Sequence, residues 1–248
     1  MIGDKLDKYK CRIVAKGFSQ VQGVDFFHST WAPTVRKETI HASLSLAATN
    51  DLNIDQIDIS TAFLHPTLDE LLFMDVPDGM PKVNDDGDKL VLQLEKCIYG
   101  LRQSANAWFA MLRDHIVDEM GFTQSESDPC LFFKDVAGHR YLLLTFVDDI
   151  LFIGKDADVI TSMRDQMEAK FPLTHQGALA WFLQMEVTRD RAARTITLSN
   201  RHKIYALLEK HNMYDSNPVS TPMLDGKANR LCIFDPATLP ADADMTFK

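Results

Sequence analysis

A chain of 248 residues, 46% hydrophobic and 25% charged, is long enough to bury a substantial core, and its ordinary globular mix excludes disordered, collagen-like and mucin-like classes. Its formal charge of −9, from 35 acidic against 26 basic residues, argues at first sight against a nucleic-acid partner, because phosphate backbones are bound by basic surface. The charge is uneven: residues 1–40 carry seven basic and four acidic side chains, residues 41–100 three and eleven, residues 101–150 four and eight, and the remainder twelve of each.

In chain order, residues 11–18 (CRIVAKGF) are short and β-branched, which predicts a strand with Lys10, Arg12 and Lys16 on one face. Within residues 37–50, Ile40, Leu44, Ala47 and Ala48 recur at helical spacing. Residues 54–59 (IDQIDI) alternate as a half-buried strand does, with Asp58 facing the same way as Gln56 and Ser60, and Asp55 turned the other way to the surface. A polar loop spans 77–89 and another strand 90–94. Ala105, Trp108, Phe109, Leu112, Ile116 and Met120 make one apolar face of a long helix that Gly121 ends. Strands at 141–147 and 150–154 are separated only by Asp148 and Asp149. Ile160, Met163, Met167 and Phe171 predict an amphipathic helix before Pro172, and residues 181–187 and 195–198 a hairpin. Ser199 reads as the N-cap of a last helix carrying Ile204, Leu207 and Leu208. The pattern predicts an α+β fold, an antiparallel sheet with helices on one face.

No apolar run nears the ~20 residues of a membrane helix, and the N-terminus MIGDKLDKYK is polar and charged, so no membrane partner and no signal peptide are expected. Cys11, Cys97, Cys130 and Cys232 stand at wide spacings without a C-x-x-C pair, which predicts buried thiols in a reduced, intracellular setting.

The chemistry concentrates in carboxylates. In YLLLTFVDDILFIG an Asp pair interrupts two apolar runs, although Asn-Gly or Asp-Gly suits a two-residue hairpin better. Adjacent anions repel unless a cation neutralises them. From this motif alone, a metal site and a solvent-exposed acidic turn stand level. Asp58, at the end of another strand, supplies a third carboxylate that can meet the pair across a sheet. Such a set suits Mg²⁺, a hard ion that prefers oxygen ligands and keeps positions for water and phosphates. Two such ions ~3.5–4 Å apart can activate a 3′-hydroxyl and stabilise a leaving pyrophosphate.

In order, the chain shows YKCRIVAKGFSQ, GVDFFHSTWAPTVR, DISTAFL, LEKCIYGLRQSANAWF, ESDPCLF, FVDDILFIG, WFLQMEV and PVSTPM. With these blocks it resembles the reverse transcriptase domain of copia-type long-terminal-repeat retrotransposons, from Tyr9 to Met223. The resemblance implies a right-hand polymerase fold, fingers and palm, over residues 9–223, with 224–248 a poorly specified tail. It also implies that Asp58, Asp148 and Asp149 are the catalytic carboxylates, with Asp58 and Asp148 binding two Mg²⁺ ions and Asp149 the less critical third. By the same resemblance, Phe63 stacks under the incoming sugar and excludes a 2′-hydroxyl, the alternative being a core aromatic.

Tyr99 and Gly100 match the box that packs against the nucleotide, and Arg102 could reach a template phosphate or simply be solvated. Lys10, Arg12 and Lys16 would hold the triphosphate, or else blunt an exposed edge strand. Phe146 and the hairpin residues Leu183, Gln184 and Met185 would contact template and primer. The chain departs from the family pattern at four places. Ser104-Ala105-Asn106 stands for Ala-Pro-Arg, His65-Pro66 for Asn-Gly, Gln184 for Gly, and His175-Gln176-Gly177 for Asp-Leu-Gly.

The expected activity is RNA-directed DNA polymerisation on an RNA or DNA template with a primer, using deoxynucleoside triphosphates. The alternatives are a truncated, inactive remnant that folds or binds nucleic acid without turnover, and, remotely, a Mg²⁺-dependent phosphohydrolase. The expected context is a larger polyprotein with ribonuclease H and integrase, intracellular, in cytoplasmic virus-like particles and the nucleus.

Overall fold

The computed structural model describes residues 11–217. The chain divides into two compact units, the first ending at Asn200 and the second beginning at Arg201.

The first unit is organised by a six-stranded antiparallel sheet. Its strands are β1 (Asn53–Ile59), β4 (Thr123–Gln124), β5 (Leu131–Val136), β6 (His139–Phe146), β7 (Asp149–Gly154) and β8 (Leu173–Ala178), in the spatial order β4-β5-β6-β7-β1-β8. Outside it lie a two-stranded ribbon, β2 (Thr67–Asp75) with β3 (Val91–Lys96), and a three-stranded sheet of β9 (Trp181–Phe182), β10 (Met185–Asp190) and β11 (Thr195–Ser199). The helices are α1 (Lys37–Thr49), α2 (Ser104–Asp114), which runs into a π-helical turn at His115–Glu119, and α3 (Ala157–Lys170).

The central strand β7 decides where these helices go. Its run Ile150, Leu151, Phe152, Ile153 is fully buried, so both faces of the sheet must be covered. Ile150 and Phe152 join Ile57, Ile59 and Leu143 against Trp108, Leu112 and Ile116 on one side and Ile160, Met163 and Met167 of α3. Leu151 and Ile153 face the opposite way, against Ile40, Leu44 and Ala47 of α1 and Phe182 and Val187 of the small sheet. The expectation of helices on one face is therefore corrected: an uninterrupted apolar strand, unlike an alternating one, has no wet side.

Residues 11–18 are not a strand. Among the described residues no ladder partner lies alongside, and the segment passes into a 3₁₀ turn at Gly17–Ser19. It is pinned instead where the Ala15 N–H donates to the Tyr99 carbonyl at 2.8 Å. Here Gly17 and Gly100 meet backbone to backbone; Gly100 has φ 92°, and a Cβ on it would overlap the Ala15 carbonyl. Arg12 and Lys16 consequently have no shared strand face, and Lys10 lies outside the described residues.

Asp128, 1% exposed, ties two distant segments together. Its carboxylate accepts from the Arg36 N–H (2.9 Å) and the Thr39 hydroxyl (2.6 Å) at the start of α1, and from the Cys130 N–H (2.9 Å). Burial opposes its ionisation, but these donors outweigh burial and hold the carboxyl below the ordinary range. At the other end of α1, Arg189 and Arg194 donate to the carbonyls of Ala47 and Thr49, which complements the negative end of the helix.

Three smaller expectations also change. Asp55 does turn away from Asp58, yet it is half-buried and ion-paired to Arg164 of α3 at 3.1 Å. Cys97 and Cys130 are buried but Cys11 is exposed, and Cys232 lies outside the described residues. Residues 181–187 are themselves folded back, so the expected hairpin is the three-stranded sheet β9–β11.

In the second unit, α4 (Arg201–Lys210) forms one residue beyond the expected cap, because Ser199 is the last residue of β11. The Arg201 guanidinium lies 5.3 Å over the Tyr205 ring, and Ile204 and Leu207 are exposed. The tail expected at 224–248 lies outside the described residues. Among the described residues no helix is long and apolar enough to cross a membrane.

Candidate functional site

Pairing of β1 with β7 sets Asp58 opposite Asp149, and pairing with β8 sets it beside Thr174. Directly opposed residues of an antiparallel pair project to the same face. Gln56, two residues before Asp58, confirms the facing: its side-chain amide donates to Asp149 Oδ1 at 3.1 Å. Burial pushes the Asp149 carboxyl above the ordinary range; the Gln56 donor counters this, and the charges of Asp148 and Asp58 add to it.

The hairpin between β6 and β7 is shifted by one residue from its expected position. Phe146 pairs with Asp149, so the two-residue turn is Val147 and Asp148, and Asp149 already belongs to the strand. The left-handed conformation falls on Val147, at φ 60°. A β-branched residue there is strained, at a cost on the order of 1–3 kcal/mol, and persists only when its surroundings enforce it. Two hydrogen bonds do so: the Trp108 indole N–H donates to the Val147 carbonyl at 2.7 Å, and the Ile59 N–H donates to the Asp148 carbonyl at 2.9 Å.

The three carboxylates thus gather at one end of β1, β6 and β7. Their donor chemistry, oxygen only, fits Mg²⁺, which takes one or two protein carboxylates and fills its other positions with water and phosphate. Among the described residues no three His, Cys, Asp or Glu side chains close into a finished metal cage. The arrangement is an open acidic edge at which burial chiefly, with the charges of Asp148 and Asp58 in addition, raises the Asp149 carboxyl.

The other expected contacts fall into groups. Phe63, on a 3₁₀ turn at Ala62–Leu64, meets Tyr99 edge-on at 5.2 Å, and the Arg12 guanidinium lies 5.5 Å over the same Tyr99 ring. Phe63 also lines a cavity of about 100 Å³ with Trp108, Thr145 and Val147, adjoining the strained turn. Lys16 instead lines a groove of about 820 Å³ with Arg12, Lys82, Lys89 and Asp75. Arg102 donates through Nε to the Gly17 carbonyl at 2.8 Å and lies 5.9 Å over Phe26, so part of its donor capacity braces the 11–26 segment.

Phe146 is half-buried on β6. Leu183 and Gln184 form the two-residue turn between β9 and β10, with φ 48° and 65°, and Met185 opens β10 opposite Phe182. Two positive φ angles in succession are where Gly or Asn is preferred, so Gln184 sits in a position that penalises its side chain.

Gln56 and Trp108 are not singled out by sequence, and His65 only as a departure from the family pattern. Trp108 and Gln56 counted as periodic positions of a helix and a strand, and His65 as a turn residue. The usable signal is that a buried indole N–H or side-chain amide must find a partner.

A family model described as reverse transcriptase (RNA-dependent DNA polymerase) matches residues 3–225 of the chain. The retrovirus-related Pol polyprotein from transposon TNT 1-94 of Nicotiana tabacum is 37% identical over 221 residues, 88% of this chain and 16% of that protein. The retrovirus-related Pol polyprotein from transposon RE1 of Arabidopsis thaliana is 34% identical over 218 residues, 88% of this chain and 14% of that protein. The transposon Ty1-ER2 Gag-Pol polyprotein of Saccharomyces cerevisiae is 30% identical over 171 residues, 65% of this chain and 9% of that protein. The chain therefore spans less than a fifth of the length of these relatives. No solved structure matches the chain.

Proposed function

Because the chain belongs to the reverse transcriptase (RNA-dependent DNA polymerase) family and corresponds to that domain of copia-type Pol polyproteins, we propose that it extends a primer by nucleotidyl transfer at Asp58, Asp148 and Asp149 in a right-hand fingers–palm fold. The observation that carries the reading is the register that sets Asp58 against Asp149, with Asp148 on the adjoining strained turn. Two Mg²⁺ ions held by these carboxylates would activate the primer 3′-hydroxyl and neutralise the departing pyrophosphate. The protein's own share is positioning and electrostatics rather than covalent chemistry. Asp58 and Asp148 supply the oxygen donors, and Asp149, hydrogen-bonded to Gln56, adds charge at their side.

Phe63, whose ring meets Tyr99 edge-on, would exclude a ribonucleotide 2′-hydroxyl by clash. Arg12 and Lys16 would hold the triphosphate, and the turn of Leu183 and Gln184 would lie along the primer end. The partners are a primed RNA or DNA template, deoxynucleoside triphosphates and, in the longer polyprotein, ribonuclease H and integrase. The setting is intracellular, in cytoplasmic particles and the nucleus.

Primer extension on poly(rA)/oligo(dT) tests this. Mg²⁺-dependent incorporation that Asp148→Asn abolishes is the expected result. Incorporation that survives Asp148→Asn refutes the assigned site. Template binding with no incorporation by the native chain favours a non-catalytic remnant, a reading to which Gln184 at its positive φ lends some support.

A further inference from the structure

The strained turn that carries Asp148 does not hold itself. Val147 has φ 60°, a conformation that a free β-branched residue leaves, and no glycine or asparagine is present to make it easy. The group that receives its carbonyl is the indole N–H of Trp108, at 2.7 Å, on a side chain 1% exposed. Trp108 is itself clamped: Phe171 meets it edge-on at 5.2 Å, and the His65 ring lies 5.6 Å away. His65 Nε2 lies 2.9 Å from the Ser60 carbonyl, to which it donates as the Nε2–H tautomer, two residues beyond Asp58. One aromatic cluster thus reaches both carboxylate-bearing segments, the turn through Trp108 and the end of β1 through His65.

We propose that Trp108 is a positioning residue for the metal-binding carboxylates, acting by holding the Val147 carbonyl so that the turn keeps its left-handed residue and presents Asp148 beside Asp58. This rests on the metal-site reading above. Were Trp108 only a core aromatic, its ring would matter and its N–H would not. A buried indole could also have donated to any nearby carbonyl, but this one meets the carbonyl of the residue immediately before Asp148. Groups that orient metal ligands without touching the metal typically change affinity by roughly 10–100-fold.

The test uses Mn²⁺, which takes the same oxygen ligands as Mg²⁺, as a paramagnetic probe titrated into the full chain and read by electron paramagnetic resonance. Trp108→Phe keeps an aromatic ring and removes the donor, and should weaken Mn²⁺ binding about 10-fold. Adding Val147→Gly to Trp108→Phe should recover most of that loss, because glycine holds a positive φ without a tether. Asp148→Asn is the control for the site itself. Should Trp108→Phe fail to fold, benzothienylalanine at position 108, which keeps the bicyclic shape with sulfur in place of N–H, is measured in its place.

If Asp148→Asn loses Mn²⁺ while the donor-less variant binds as the native chain does, the role of Trp108 is refuted and the metal site stands. A loss that Val147→Gly does not recover also refutes it, since Trp108 would then act through packing alone. If Asp148→Asn binds as the native chain does, the metal site and the role of Trp108 fall together.

Discussion

Replacing Asp149 by Asn should stabilise the protein without divalent ions and remove part of its response to them. The two strands place Asp149 and Asp58 in direct opposition, where Cβ atoms are typically ~5 Å apart. Two carboxylates at that spacing in an effective dielectric near 20 repel by about 3 kcal/mol, which partial exposure and 0.1 M salt reduce to roughly 1–2 kcal/mol. Asn keeps an oxygen for the Gln56 amide, so the substitution removes charge and little else. For a domain of this size the gain corresponds to a rise of roughly 2–8 °C in Tm.

The pH dependence follows from the sign of the shift. Asp149 titrates above its unfolded value, so its contribution to stability is complete below about pH 4 and is lost as pH rises through the raised native value. The advantage of Asn should therefore be absent in acid and present at neutral pH. Saturating Mg²⁺ should raise the Tm of the native chain more than that of the variant, closing the gap. Calorimetry with and without Mg²⁺ at pH 4 and pH 7 measures all three effects. A variant less stable than the native chain at pH 7 without metal refutes the argument, as does an equal response of both chains to Mg²⁺.

Asp128→Ala strips the acceptor from two backbone N–H groups and a hydroxyl and should cost about 2–4 kcal/mol in urea unfolding at pH 7. Because the native Asp128 carboxyl titrates low, that cost should shrink as pH falls below about 4, through the depressed native value. Gly100→Ala drives a Cβ into the Ala15 carbonyl, so limited proteolysis should show faster cleavage in residues 11–19, with the rest of the first unit retained. Gln184→Gly relieves one positive φ in the turn between β9 and β10 and should raise stability by about 0.5–1 kcal/mol, seen as a small increase in Tm.

The elements that were legible from sequence are those whose signal is local. The helix at residues 37–50 reads from Ile40, Leu44 and Ala47, and these same residues pack in the core. The facing of Asp58 with Gln56 follows from strand alternation alone, and the Gln56–Asp149 hydrogen bond bears it out. Where neighbours decide, the reading failed. Residues 11–18 have strand composition, but a strand is defined by a partner, and their backbone is held by the Tyr99 carbonyl and the Arg102 guanidinium instead. The turn slipped by one residue because Asp148-Asp149 is the more polar pair, whereas the ladder pairs Phe146 with Asp149 and leaves the strain to Val147.

By itself, then, the chain's sequence determined its family, the helices with clear apolar periodicity and the carboxylates of the candidate site, since these depend on residue identity and local order. The tertiary structure alone decided that helices cover both sheet faces, that Asp128 caps a helix 92 residues away, and that Trp108 reaches the carbonyl before Asp148. Each of those is a hydrogen bond or packing contact between segments far apart in the chain, and local periodicity carries no information about which distant partner a buried donor or apolar face will find.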